Sequence, residues 1–130
     1  MGRALLSPAD VVRRYLAAFS TGDADAVAAH VTDDFVNEHT SALGESCAGR
    51  DEYRRRLPDF LSAFEGLRYE VEAVVADGSS VAAAYTMHAV HEGHPVKVRG
   101  VQWFDVAGDL IAHRVDYWDS LGFLRQVGQA

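Results

Sequence analysis

Asp116 is the residue best placed for acid–base chemistry. It sits in Ile111-Ala112-His113-Arg114-Val115-Asp116-Tyr117-Trp118-Asp119. In a strand, Arg114, Asp116 and Trp118 share one face, and His113, Val115, Tyr117 and Asp119 share the other. A carboxylate beside aromatics in a sheet loses hydration. That raises its pKa and makes it a usable acid or base near neutrality. The same pattern also suits a sheet-edge carboxylate paired with Arg114 or a neighbouring arginine. Tyr15, on an apolar helical stripe, could donate to a substrate oxygen or simply be core. His39 follows Asn37-Glu38 and shares a face with Asn37 if the stretch is extended. Histidine titrates near neutrality unaided, although a solvated loop histidine fits as well. Gln102 alternates with Gly100 and Phe104, and its amide can orient a carbonyl or hydroxyl without titrating, or bond across strands.

Other chemistries find less. His88 lies within a strand while His91 and His94 flank the Glu92-Gly93 turn, so the three would have to converge across a hairpin tip with no clear fourth ligand, and no metal site is expected. Lys97 is the only lysine and Cys47 the only cysteine, and neither carries a nucleophile signature. No GxSxG elbow, phosphate-binding glycine loop or dinucleotide fingerprint occurs, so no cofactor is expected. Arg54-Arg55-Arg56 covers most of a helix circumference and reads as a solvated face.

The elements that must position these residues fall into two halves. Ser7-Pro8-Ala9-Asp10 is a helix start, with Ser7 as N-cap, and Val11, Val12, Tyr15, Leu16 and Phe19 form its stripe. Gly22 ends that helix, and Asp23 caps a short second one expected to reach Val31. Residues 32–40 read as extended or irregular, and 41–49 as a loop. A third helix is expected over 50–64, burying Tyr53, Leu57, Phe60, Leu61 and Phe64, with a kink or break at Pro58. Thereafter the period changes to two. Leu67, Tyr69, Val71, Ala73 and Val75 alternate with charged residues as a half-buried strand. Asp77-Gly78, Glu92-Gly93 and Gly108-Asp109 read as turns between further strands over 80–91, 95–106 and 110–119. Helices followed by an antiparallel meander mean an α+β fold. A sheet curved around helices has an open end where a pocket forms.

Val11-Val12-Arg13-Arg14-Tyr15-Leu16-Ala17-Ala18-Phe19, Thr21-Gly22-Asp23, Thr32-Asp33-Asp34-Phe35 and the ending Val115-Asp116-Tyr117-Trp118-Asp119 together resemble the SnoaL-like and ketosteroid-isomerase-like branch of the nuclear transport factor 2-like superfamily. The resemblance covers nearly the whole chain. It implies a cystatin-like cone, a strongly curved, mostly antiparallel sheet wrapped around three N-terminal helices. It also implies a deep apolar pocket and a homodimer made through the sheet. Tyr15 matches the isomerases' oxyanion-binding tyrosine, but their catalytic aspartate falls at His39 and their second aspartate at about Gln102. Met87 and Ala89 stand where the fold's epoxide hydrolases carry a charge pair. The polyketide cyclases match better. Their acid/base aspartate corresponds to Asp116, and their reaction is an intramolecular aldol closure without a cofactor. The implied site is Asp116 and His39 as catalytic groups. Tyr15, Asn37, Gln102, Trp118, Phe104 and Met87 would hold an apolar ring or enolisable ketone. Trp118 and Phe104 are large enough to fill the pocket instead. A non-catalytic binding or dimerisation module of the same fold, or a dehydratase using His39 with a tyrosine, are the alternatives.

The 130 residues are read as one domain, 1–130. A net charge of −7 argues against nucleic-acid or anionic-membrane partners. The single cysteine fits a reducing, cytoplasmic setting, and no leader is read in the first seven residues. Val101, Trp103, Val115 and Tyr117 fall on the outer sheet face, an apolar motive for pairing.

Overall fold

The computed structural model describes residues 6–130. Of the amino-terminal stretch read above for a leader, residues 1–5 lie outside the described residues. The chain opens with α1 (Pro8–Ala18), whose first turn is capped by Ser7, its hydroxyl accepting from the Asp10 amide at 3.1 Å. A 3₁₀ turn (Phe19–Thr21) ends at Gly22 with φ +67°, the left-handed value that glycine adopts without steric cost. Asp23 caps α2 (Ala24–Ala28), which stops short of Val31 because that residue already begins β1 (Val31–His39). The stretch expected to be irregular is therefore a strand, interrupted by a register shift between Val31 and Val36. The following loop contains a two-residue strand, β2 (Cys47–Ala48), and leads into α3 (Arg50–Ala63).

Pro58 lies inside α3, which continues past it as one helix to Ala63. Tyr53 and Leu57 are buried as expected. Phe60, Leu61 and Phe64 are only partly covered, and Phe60 and Phe64 line an open cavity rather than filling a core.

The second half is a meander of β3 (Glu65–Asp77), β4 (Ser80–His91), β5 (His94–Ala107) and β6 (Leu110–Trp118). The single sheet has the order β2-β1-β6-β5-β4-β3. β1 runs parallel to β6 and every other neighbour is antiparallel. It is an open, mixed sheet, and α1 packs on β3 through β6 while α3 packs on β1 and β2. In β4 the alternation is unbroken. Val81, Ala83, Tyr85, Met87 and Ala89 all face inward and are buried. β3 departs from its apparent pattern. A register shift between Val71 and Ala73 inserts a bulge, so Val74 turns inward and Val75 is 69% exposed. A short α4 (Ser120–Gln126), not anticipated from the sequence, is capped by the Asp119 carboxylate, which accepts from the Gly122 amide at 2.9 Å. Among the described residues, no helix is long and apolar enough to cross a membrane.

Candidate functional site

A cavity of about 700 Å³ opens between α3, the residue 43–45 loop and the inner sheet face. It lies toward the C-terminal ends of β1, β4 and β6. The parallel ladder sets its floor. Asn37 lies opposite Arg114 and His39 opposite Asp116. All four side chains line the cavity.

Asp116 is 5% exposed. The Tyr85 hydroxyl donates to its Oδ1 at 2.7 Å. Its Oδ2 is 3.5 Å from Arg114 Nη2 and 4.0 Å from His39 Nδ1. Burial pushes the Asp116 carboxyl above its ordinary range, outweighing the Arg114 charge and the Tyr85 hydrogen bond that act the other way. Arg114 is 4% exposed and spends most of its donors on neutral acceptors. Its Nε donates to Gln102 Oε1 at 2.8 Å, Nη1 to Asn37 Oδ1 at 3.0 Å and Nη2 to the Tyr69 hydroxyl at 3.3 Å. The guanidinium also lies over the Tyr15 and Phe19 rings, 5.7 and 5.8 Å from their centroids. The arginine is thus a fixed cation in the cavity wall, and Asp116 is its neighbour without being its main partner.

His39 is pushed down to about 4, first by burial and then by the Arg114 charge. At neutral pH it is an uncharged imidazole. The chain approaches it closely at Gly44, where an added Cβ would stand 2.4 Å from His39 Cβ and 3.0 Å from Nδ1. The loop around it is tied down by Arg56, which donates to the Ser46 carbonyl, and by Ser46 Oγ, which accepts from the His39 amide.

Of the residues expected from sequence, Asp116, His39, Asn37, Met87 and Trp118 line the cavity. Tyr15, Gln102 and Phe104 lie behind its wall, fully buried and absent from the lining. Tyr15 bonds instead to the Tyr53 hydroxyl, and burial holds both phenols protonated. Phe104 packs edge-on against Tyr15, so it does not fill the space. The sequence reading singled out neither Tyr85 nor Tyr69 and weighed Arg114 only as an obstacle. All three line the cavity. The available signal was a phenol on the inward register of β4, between Ala83 and Met87. Two of the three histidines around the β4–β5 hairpin have partners of their own. His88 meets Glu70 at 2.8 Å and His91 Nδ1 meets the Ala63 carbonyl at 2.8 Å.

The open mixed sheet around helices, with a cavity whose polar floor is shared between β1 and β6, is the architecture of a nuclear transport factor 2-like fold. The SnoaL-like domain model matches residues 12–114, and the chain belongs to that family. No curated protein matches it in sequence. Solved structures share the fold. A protein with a ketosteroid isomerase-like fold from Catenulispora acidiphila DSM 44928, in complex with trimethylamine, has a TM-score of 0.85 at 18% identity, over 93% of this chain and 94% of its own. A candidate SnoaL-like polyketide cyclase from Shewanella denitrificans OS-217 gives 0.83 at 14%, over 95% and 98%. An LEH-like epoxide hydrolase from M. tuberculosis gives 0.79 at 23%, over 93% and 92%.

Proposed function

We propose that this protein is a cofactor-independent acid–base enzyme of the polyketide cyclase and isomerase kind, acting on an apolar ring or enolisable ketone. The observation that carries this reading is a buried carboxyl, raised toward neutrality, at the floor of a largely apolar cavity beside a fixed cation. Asp116 takes the proton from the carbon next to a carbonyl. The C–H bonding pair moves to the carbonyl oxygen as an enolate. The Arg114 charge and the neutral His39 ring favour that oxygen, and the burial of Arg114 makes its charge more effective. The enolate carbon then attacks a second carbonyl to close a ring, and Asp116 returns its proton to the new alkoxide. In an isomerisation it returns the proton to a different carbon. Phe60, Phe64, Met87 and Trp118 supply the apolar walls.

The test is deuterium exchange at the acidic carbon of a panel of 1,3-diketones and aryl ketones. Asp116→Asn should slow exchange by about 10²–10⁴-fold while the fold persists. A folded Asp116→Asn variant that exchanges as fast as the wild type overturns the assignment. One observation favours a binding module instead, because protein groups face both Asp116 oxygens. On that reading ligands bind Asp116→Asn as tightly as wild type, and neither protein exchanges protons.

Pairing of two copies through the outer sheet face belongs to the same proposal. Val101, Trp103 and Tyr117 are exposed there by 42%, 42% and 53%. Val115, expected with them, is only 6% exposed and adds nothing to that patch. Light scattering at micromolar concentration should give a dimer that Trp103→Asp dissociates. A wild-type monomer contradicts it.

A further inference from the structure

Tyr85 reaches Asp116 by an unusual route. β4 and β6 are not neighbours, because β5 lies between them. Two strand spacings amount to about 9.6 Å, so a side chain on β4 touches one on β6 only by lying flat across β5. The residue it must cross is fixed by the ladder. Tyr85 lies opposite Gly100, and Gly100 lies opposite Trp118, two residues beyond Asp116. Gly100 faces inward between Val98 and Gln102, where any other residue would project a side chain into the phenol's path. A Cβ built there would stand 2.6 Å from the Tyr85 hydroxyl oxygen, 2.9 Å from Cζ and 2.5 Å from the Tyr117 carbonyl oxygen. Backbone conformation does not call for this glycine, since it is not among the positive-φ positions. The space above it does.

We propose that Tyr85 is a positioning residue for Asp116, made so by the missing side chain at Gly100. The phenol crosses the bare backbone of β5 and donates to Oδ1, which fixes the rotation of the carboxyl. Oδ2 is left as the oxygen that exchanges protons with substrate, on the side of His39 and Arg114. The Tyr85 ring is held in this pose by the Tyr69 ring, edge-on at 5.1 Å. The effect on rate rests on the acid–base reading above. The geometry of the bond does not.

The charged and titratable groups that bear on Asp116 are Tyr85 from β4, His39 from β1 and Arg114 from β6. Tyr69 from β3, Tyr15 from α1 and Tyr53 from α3 surround the arginine. The test is a carboxyl-carbon NMR titration of the full chain, with Asp116→Asn identifying the Asp116 resonance. In Tyr85→Phe the ring stays and only the donor goes. The Asp116 midpoint should move up by about one pH unit or more, since a hydrogen bond to the charged form is lost. A folded Tyr85→Phe with an unmoved midpoint overturns the proposal. Gly100→Ala should move the midpoint in the same direction, because the methyl displaces the hydroxyl. If that variant folds with the midpoint unmoved, the glycine's part is overturned. The two readings fail separately. A shifted midpoint in a protein that exchanges no substrate protons sinks the acid–base function and leaves the positioning intact. Exchange lost in Asp116→Asn with no midpoint shift in Tyr85→Phe does the reverse.

Discussion

Beneath α1, the inner face of β4, β5 and β6 presents Val81, Ala83, Phe104, Val106 and Ile111, all buried among Val11, Val12 and Leu16. Toward the other end of the same sheet lie Asn37, Gln102, Arg114 and Asp116, the buried polar residues of the described chain. The two ends share one scaffold but obey different physics. At the packed end each side chain contributes by leaving water, and the contribution scales with its size. At the open end burial works against each group, and only hydrogen bonds and neighbouring charge offset it. Protons therefore affect the open end most, while the packed end answers chiefly to volume.

The largest expected effect lies at the packed end. Phe104→Ala removes a fully buried ring and should lower unfolding free energy by about 4 kcal/mol. Urea denaturation measures it, and a loss under about 1 kcal/mol would mean the core there collapses freely. Next comes His39 at the open end. Unfolded, the imidazole binds its proton near 6.5, and folded only near 4. Between these values the unfolded chain holds more protons, so stability falls by roughly 3 kcal/mol as pH drops through the window. His39→Gln should flatten that part of the urea midpoint against pH. Equal slopes in both proteins would break the contrast.

Asp116 acts with the opposite sign. Its folded carboxyl holds a proton above the ordinary carboxylate range, so its contribution to stability declines as pH rises through the folded value. The difference between wild-type and Asp116→Asn unfolding free energies should therefore fall with rising pH, and a rising difference would contradict the burial argument. The smallest effect belongs to neither end. Glu92, at the β4–β5 turn, has φ +49°, the one positive value on a non-glycine residue among the described residues. Glu92→Asn should stabilise by about 0.5 kcal/mol in urea denaturation and leave the proposed proton exchange unchanged.

The sequence and the structure agree where one physical signal dominates. The strands over 80–91 and 95–106 alternate cleanly and end at glycine turns, so their inward residues could be read directly. β3 could not. Its bulge after Val71 reverses the faces, and Val74 reads as outward until the pairing with β4 is known. Pro58 was expected to kink α3 or split off its last turns, and the helix runs through it to Ala63 without splitting. At the site, His39 could be picked out by residue type, because few side chains titrate near neutrality, and Asp116 by its place beside aromatics on a strand. Arg114 was harder to interpret. Beside a carboxylate it reads as a salt-bridge partner, and only its bonds to Asn37, Gln102 and Tyr69 make it part of the cavity wall. Tyr85 was legible only as a phenol on the inward register of β4, since its role depends on reaching across β5 to β6.

The parallel pairing of β1 with β6 has a kinetic consequence. Val31 lies opposite Ile111 and His39 opposite Asp116, so this ladder joins segments nearly eighty residues apart. The β3–β4 and β4–β5 hairpins need only short loops to close and can form early. Closing the long loop costs more chain entropy before any contact rewards it. Refolding should therefore assemble the meander first and dock β1 last. The pocket floor, shared between β1 and β6, is then among the final parts to appear, and the proposed proton exchange should recover more slowly than the sheet signal in circular dichroism.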